Sequence, residues 1–194
     1  IRIVPTEDGD PFKEVYFHYN VPTYKGGIMC PKRNFGDRCP ICDFASQLWR
    51  DGVDKNDEES KKLAKSLFVR ARYFSPVLSR DSEDDGVRVY GYGKKAYELL
   101  LGYVLDPEYG DITSMKMRRT TSPLLDDRER TPALLDSVPD IMALFKRHSS
   151  EEVDQILDQY LSGDDSAEGR SSELEKYNSN KNSVDAAFDE LLAG

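Results

Sequence analysis

Four side chains of the types that bind zinc lie in the first part of the chain. All three cysteines fall within 13 residues, at Cys30, Cys39 and Cys42, and His18 precedes them in a strand-like stretch. Cys39 and Cys42 form a C-x-x-C pair, and Pro40 suits the tight backbone that lets two thiolates reach one metal ion. Three thiolates and one imidazole complete a tetrahedral shell and leave no open position for a substrate. We therefore predict one structural Zn²⁺ held by these four residues.

The alternative interpretation is a set of buried or redox-active thiols with an unrelated histidine. His148, the other histidine, lies far from the cysteines along the chain. An odd number of cysteines in metal-binding spacing is typical of a reducing compartment and not of a disulfide framework. No stretch approaches the 18 or more apolar residues of a membrane span. These features predict a cytoplasmic protein with no membrane partner.

Charge is distributed unevenly along the chain. Residues 1–119 hold 20 Lys and Arg against 19 Asp and Glu, whereas residues 120–194 hold 7 against 17. Many acids of the first part fall in two runs, 51–59 and 81–85, so the strands and turns outside these runs are locally basic. The pattern indicates a near-neutral body with basic strands and a strongly acidic C-terminus.

Apolar periodicity predicts an α+β protein in which strands and helices are mixed. The predicted strands are Glu14–Asn20, Leu67–Leu78, Val87–Tyr92 and Met115–Thr121. Helices are predicted from Cys42, over Glu58–Ser66 and over Lys94–Leu105, with a polar loop at Asp51–Glu59. Two later apolar stripes of helical spacing, Val138 to Phe145 and Val153 to Leu161, are interpreted as core-packing faces. Ser149 and Glu152 form a predicted capping box ahead of the second stripe.

Basic side chains alternate with aromatic ones on the predicted strands. Arginine and lysine neutralise phosphates, and aromatic rings stack on unpaired bases of any identity. Rings on strands also form cores and basic residues also form solvated faces, so the pattern alone leaves both interpretations open. The candidates for binding single-stranded nucleic acid are Arg70, Arg72, Tyr73, Phe74, Arg88, Tyr90, Tyr92, Lys94, Lys95, Lys116 and Arg118.

The motif His18, Cys30, Cys39-x-x-Cys42 resembles the zinc motif of the T4-type bacteriophage helix-destabilising proteins, which bind single-stranded DNA. The segment Tyr73 to Leu78, a loop with Asp81 and Gly86, and then Val89 to Tyr97 is similar to the strand–loop–strand–helix region of that family. The resemblance covers roughly residues 10–110, and its zinc spacing is the specific part.

This resemblance implies an OB-fold-like small β-barrel core with an inserted zinc subdomain at about residues 18–50. The DNA-binding core is then expected over 1–125. Helical periodicity separately predicts a helical extension over 126–162 packed on the core, and composition predicts a flexible acidic tail over 163–194 with a short amphipathic end. It also implies a basic cleft for DNA, with Tyr73, Tyr90 and Tyr92 facing the strand. The location would then be the host cell cytoplasm, and the role would be in phage DNA replication, recombination and repair.

The acidic C-terminus carries apolar residues at helical spacing, among them Phe188, Leu191 and Leu192. The resemblance implies that such a tail recruits replication proteins and competes with DNA for the basic cleft. The family's basic N-terminal arm, which gives cooperative binding, has no counterpart in this sequence, and a full set of OB strands does not emerge after Asp111.

Two other classes of function compete with DNA binding. A zinc-dependent nucleobase deaminase needs His-x-Glu and an open metal position, whereas here Tyr19 and Asn20 follow His18 and a third cysteine fills the shell. We therefore expect no enzymatic activity. The main alternative is a protein-interaction module that zinc stabilises and whose acidic tail binds partner proteins. Salt bridges between the strand arginines and the acidic residues of 81–85 would favour this alternative. Zinc-finger reading of duplex DNA lacks the required spacing and a basic recognition helix.

Overall fold

The computed structural model describes residues 1–21, 27–106, 125 and 128–162, and over these residues the chain is α+β, as predicted. The strands are β1 (Arg2–Ile3), β2 (Lys13–His18), β3 (Ile28–Met29), β4 (Arg70–Leu78) and β5 (Arg88–Tyr92). The α-helices are α1 (Pro31–Phe35), α2 (Pro40–Asp54), α3 (Glu58–Leu67), α4 (Lys94–Leu105), α5 (Thr131–Asp136) and α6 (Ser150–Ser162). Short 3₁₀ turns occupy Glu83–Asp85, Arg128–Arg130 and Met142–Leu144.

The five strands form one curled antiparallel sheet, shaped as a half-barrel. The strand order is β1-β4-β2-β3, and β5 pairs with β4. This curvature is compatible with a small β-barrel core. The predicted strand Met115–Thr121 lies outside the described residues.

The chain divides into two compact units, each made of two segments. The first unit contains Ile1–Tyr16 and Ala71–Lys146, and the second contains Phe17–Arg70 and Arg147–Gly194. The division predicted from sequence, at residues 125 and 162, stays a prediction. The acidic tail over 163–194 lies outside the described residues.

Helices α2 and α3 pack against each other in the second unit. Phe44, Leu48 and Leu67 are buried there, and burying such a side chain contributes about 1.5–3 kcal/mol. The polar loop predicted over Asp51–Glu59 is wrong in part, because α2 continues to Asp54 and α3 begins at Glu58. Gly52 lets α3 lie close to the end of α2, since a Cβ there would lie 3.1 Å from the backbone nitrogen of Lys61.

The strand predicted from Leu67 begins later, at Arg70. Leu67 is instead the last residue of α3, and its side chain is fully buried. The strand ends at Leu78, as predicted, and Pro76 lies inside β4 opposite Val89. The carbonyl of Pro76 accepts a hydrogen bond from the Val4 amide at 2.9 Å, so this proline, which has no N–H, still contributes to the sheet.

The other helical predictions have mixed outcomes. Helix α4 has the predicted bounds, and α6 carries the predicted capping box, with Glu152 N–H donating to Ser149 Oγ at 3.2 Å and Ser149 N–H donating to Glu152 Oε2 at 2.9 Å. The helical stripe from Val138 to Phe145 is wrong, since only a 3₁₀ turn forms there. Pro139 explains the difference, because proline lacks a backbone donor and disfavours the helical conformation at the residue before it.

Strands β4 and β5 of the first unit pair in a regular antiparallel register. Tyr73 lies opposite Tyr92, and Phe74 lies opposite Gly91. The Phe74 ring occupies the space above Gly91, so that a Cβ at this glycine would lie 2.8 Å from the ring. On its other side, Phe74 packs against Phe145 with ring centroids 4.8 Å apart. The glycine therefore holds the position of a partly buried aromatic ring.

We predict opposite effects for the same substitution at two glycines of the first unit. Gly91→Ala is expected to displace the Phe74 ring and lower the free energy of unfolding by about 1–3 kcal/mol. Gly102→Ala, in α4 with no atom within 4 Å of the added Cβ, is expected to raise it by about 0.5–1 kcal/mol. Urea titrations of the two variants measure both changes. Equal changes in the two variants would contradict the close packing of Phe74 on Gly91.

Candidate metal centre

The four predicted zinc ligands come together in the second unit. One donor atom from each of His18, Cys30, Cys39 and Cys42 lies within 4.8 Å of all the others. His18, Cys30 and Cys39 are fully buried, and Cys42 is partly exposed. All three cysteines are free thiols, so no disulfide competes with metal binding.

Each ligand is placed by the end of a secondary-structure element. His18 ends β2, which pairs with β3 at the register His18 opposite Ile28. Cys30 follows β3 and caps α1, where its sulfur accepts a hydrogen bond from the Arg33 N–H at 3.5 Å. Cys39 caps α2, and Cys42 lies in the first turn of that helix.

The turn after α1 leads the chain from the ligand Cys30 to the ligands Cys39 and Cys42. Gly36 has a φ of +82°, a left-handed conformation that glycine adopts without a steric penalty. Its N–H donates to the carbonyl of Lys32 at 3.1 Å, which closes the helix. Residues 36–39 then lead to the start of α2, so the loop is short and held at both ends by metal ligands.

The donor distances fit a tetrahedral zinc ion. Zn–S bonds of about 2.3 Å and Zn–N bonds of about 2.0–2.1 Å place two sulfurs about 3.8 Å apart, and a sulfur and a nitrogen about 3.5 Å apart. Cys30 Sγ and Cys42 Sγ are 3.5 Å apart, and His18 Nε2 lies 3.5 Å from the sulfurs of both Cys39 and Cys42. The four residues thus form a single structural zinc site, as predicted.

A backbone carbonyl fixes the orientation of the histidine ring. His18 Nδ1 lies 2.8 Å from the Leu67 carbonyl oxygen at the end of α3. Because a carbonyl only accepts, Nδ1 carries the proton and Nε2 faces the sulfurs. Sequence reasoning missed this contact, since no local pattern connects residues 49 positions apart.

The close approach of these groups shifts the pKa values of His18, Cys30 and Cys42. Burial lowers the pKa of His18, but hydrogen bonds with the Cys30 and Cys39 thiols outweigh it and raise that pKa to about 9. Hydrogen bonds from Cys39 and Cys42 lower the pKa of the Cys30 thiol, whereas the neighbouring Cys30 and Cys39 sulfurs raise the pKa of Cys42. The shifts are opposed because the clustered groups share protons in the metal-free site. A divalent cation that binds the thiolates and the imidazole displaces these protons.

The predicted nucleic-acid residues of the first unit divide between the two faces of the β4–β5 pair. Directly opposed residues of antiparallel strands share a face, so Tyr73 and Tyr92 lie on the same face as Ser75 and Tyr90. Side chains alternate along a strand, which places Arg72 and Phe74 on the opposite face. The structure therefore brings the three tyrosines together and separates Arg72 and Phe74 from them.

The tyrosines belong to a row of neighbouring rings, which we call the ring row and define as Tyr90, Tyr92, Tyr73, Tyr97 and Phe12. The four tyrosines are stacked, and Phe12 meets Tyr97 edge-on. Successive ring centroids are 5.8, 6.2, 4.0 and 6.1 Å apart, and the closest pair is parallel to within 4°. Tyr90 is 51% exposed, whereas Tyr92 and Tyr73 are 6% and 7% exposed. Of these three tyrosines, only Tyr90 presents a large ring surface to a ligand.

Two hydroxyl groups of the ring row have fixed partners. Tyr73 donates to Glu14 Oε1 at 2.7 Å, and this hydrogen bond, with burial, raises the pKa of Tyr73. The Tyr92 hydroxyl lies 2.7 Å from Ser75 Oγ, and burial raises the pKa of Tyr92. Tyr97, which stacks on Tyr73, was missed as a member of this row. In the sequence it is one apolar position of the predicted helix Lys94–Leu105.

The predicted basic residues differ in their surroundings. Arg70 is exposed at the start of β4, whereas Arg88 pairs with Asp85 at 2.5 Å. Lys94 and Lys95 are exposed in the first turn of α4, and Lys94 lies 3.6 Å from Glu98. The remaining predicted residues, Lys116 and Arg118 and the partner-binding Phe188, Leu191 and Leu192, lie outside the described residues.

Neither a protein-family model nor a curated protein sequence matches this chain. None of the helices in the part of the chain that the structure describes has both the length and the apolar character that crossing a bilayer requires.

We predict that the purified protein holds one zinc ion and that His18→Asn removes it. The free energy of unfolding should fall by several kcal/mol, because structural zinc supplies about 10–16 kcal/mol of apparent binding free energy in small sites. Elemental analysis of the dialysed protein gives the zinc content, and chemical denaturation gives the stability. His148→Asn, at the other histidine, is the matched control and should retain the metal. Zinc that survives in His18→Asn would contradict the assigned ligand set.

Proposed function

We propose that this chain binds single-stranded DNA with little sequence preference and without catalysing a reaction. The observation that carries the proposal is the position of Tyr90. Its half-exposed ring ends a row of stacked rings, and Lys94 and Lys95 follow shortly after it along the chain. A ring and two cations placed in this way match the alternating bases and phosphates of an unpaired strand.

The ring row gives Tyr90 a rigid support. Tyr92 lies 5.8 Å from the Tyr90 ring and is itself fixed by Tyr73 and by its contact with Ser75. A ring that is already immobilised loses little conformational entropy when a base stacks on it. Stacking on an aromatic side chain contributes about 1–3 kcal/mol per base and tolerates every base.

The start of α4 supplies the phosphate contact in this proposal. The first backbone N–H groups of α4 point toward its N-terminus. Gly93 is the N-cap there, and no side chain caps these N–H groups. The helix dipole adds a partial positive charge there, and Lys94 and Lys95 add two full charges. The two lysines release counterions when they neutralise phosphates, which makes the affinity depend on salt.

The half-barrel sheet supports assigning an OB-fold to this protein, and the zinc site supports the resemblance to the phage helix-destabilising proteins. In this proposal, the zinc-binding residues stabilise their own unit and take no part in chemistry. The acidic C-terminus would recruit replication proteins through Phe188, Leu191 and Leu192. The proposed role of the protein in phage DNA replication, recombination and repair follows from the same resemblance.

A protein-interaction module is the second candidate, and two ion pairs favour it. Asp85 pairs with Arg88, and Asp84 pairs with Arg130 at 3.0 Å, so the acidic loop neutralises part of the basic surface. Helix α4 also exposes apolar side chains, with Leu99 at 68% and Leu105 at 72%. Such a surface binds protein partners more readily than phosphates.

We predict that Tyr90→Ala weakens binding to a single-stranded oligonucleotide by about 5- to 150-fold, the loss of one stacked base. Tyr103→Ala is the matched control, because Tyr103 is 50% exposed in the same unit but lies on α4 outside the ring row. Fluorescence anisotropy of a labelled 20-mer at constant salt measures both affinities. Equal losses in the two variants, or no binding by the unaltered protein, would overturn the proposal.

The lysines at the start of α4 predict a change in salt dependence. The plot of log K against log salt should lose about 1.4 units of slope in the variant Lys94→Ala/Lys95→Ala, because each phosphate contact contributes about 0.7 on single strands. The double variant Lys55→Ala/Lys62→Ala removes two exposed charges from the second unit and should leave the slope nearly unchanged. A slope that is identical in both double variants would exclude the start of α4 as the phosphate contact.

A further inference from the structure

The metal-binding loop of the second unit is also in contact with a distant part of the chain. Residues 35–38 lie between the ligands Cys30 and Cys39, and none of them binds the metal. Three of these residues contact the segment at the start of α6, more than 100 positions away in sequence. The loop therefore has a second role besides carrying ligands.

The contacts are specific for the side chains involved. Arg147 donates to Asp37 Oδ2 at 2.7 Å, and its guanidinium lies 4.1 Å from the centre of the Phe35 ring. Ser150 Oγ donates to the Arg38 carbonyl at 2.7 Å. A planar guanidinium that pairs with a carboxylate while stacking on a ring has one favourable orientation. These contacts therefore define the position of the start of α6.

The rest of α6 packs on a helix that also begins at the metal. Val153, Leu157 and Leu161 are fully buried, and α6 contacts α2. Helix α2 is capped by Cys39, whose side chain makes no capping hydrogen bond. Both elements that hold α6, the loop and α2, thus adjoin or carry zinc ligands.

Other parts of the same unit have independent support. Helix α3 packs against α2, and its N-cap Asp57 accepts hydrogen bonds from the Glu59 and Ser60 N–H groups at 3.0 and 3.4 Å. These contacts lie away from the loop over 35–38, and the link from α3 to a zinc ligand is the Leu67 carbonyl at its last residue, which bonds to His18. Loss of the metal should therefore act more strongly on α6 than on α3 as a whole.

From these contacts we infer that zinc binding and the docking of α6 are energetically coupled, so that α6 is held in place only while the metal loop is formed. Coupling of this kind is reciprocal: the factor by which zinc favours docking equals the factor by which docking favours zinc. The residues that follow α6, at 163–194, are then attached to the second unit through a metal-dependent helix. The inference is independent of whether the protein binds DNA.

Hydrogen exchange followed by mass spectrometry tests the coupling on the full chain. Removing zinc with a chelator should speed exchange in peptides covering 150–162 by at least tenfold, while peptides covering 58–67 change less than threefold. The reverse direction uses Arg147→Ala, which leaves all four ligands intact. This variant should lose zinc to a chromogenic chelator about 3- to 10-fold faster than the unaltered protein and should show faster exchange in α6.

Arg50→Ala is the control, because Arg50 is an exposed arginine of α2 that bonds to the Ser46 carbonyl of its own helix. It should retain zinc as the unaltered protein does. Unchanged exchange in α6 after zinc removal would overturn the inference, and so would an unchanged rate of zinc loss in Arg147→Ala. Equal acceleration in α3 and α6 would also overturn it, because the whole unit would then unfold together.

Discussion

Tetrahedral coordination by His18 and three cysteines is the constraint on which the second unit depends. The four donors come from the end of β2, from the residue after β3, and from the N-cap and first turn of α2. A zinc ion bound to three thiolates and an imidazole connects these elements at one point. The Leu67 carbonyl, which fixes the His18 ring, extends the same constraint to the end of α3.

The first unit is organised by aromatic stacking and not by metal binding. Among its described residues, Val4, Leu78 and Leu125 form a buried apolar cluster with four partly buried neighbours. The ring row supplements this cluster, because large rings bury much area and stack with defined geometry. The polar ends of Tyr73 and Tyr92 are satisfied by Glu14 and Ser75, so the rings are buried without a lost hydrogen bond.

The tyrosines of the ring row differ in exposure, and this difference bears on the proposed function. Tyr73 and Tyr92, which looked equivalent to Tyr90 in the sequence, are largely covered by neighbouring rings and serve as supports. Tyr90, at the open end, is half exposed, and it is the ring on which a base stacks in the proposed function. The same arrangement limits the proposed contact surface of β5 to one ring, followed by the cations at the start of α4.

The sequence was informative where chemistry or short-range periodicity decides the structure. Thiol and imidazole chemistry with C-x-x-C spacing identified the metal ligands, and alternation placed Tyr90 and Tyr92 on one face. Prediction failed where a single residue or a tertiary contact decides. Gly52 allows α3 to pack closely against α2 within a polar stretch, and Pro139 interrupts an apolar stripe. The burial of Tyr73 depends on stacking with Tyr97, which no local pattern reveals.

X-ray absorption spectroscopy at the zinc edge tests the metal centre most directly. The structure predicts three sulfur neighbours at about 2.3 Å and one nitrogen neighbour at about 2.0–2.1 Å, with no coordinated water. A first shell containing water oxygen, fewer than three sulfurs or no imidazole would contradict the closed site formed by His18, Cys30, Cys39 and Cys42.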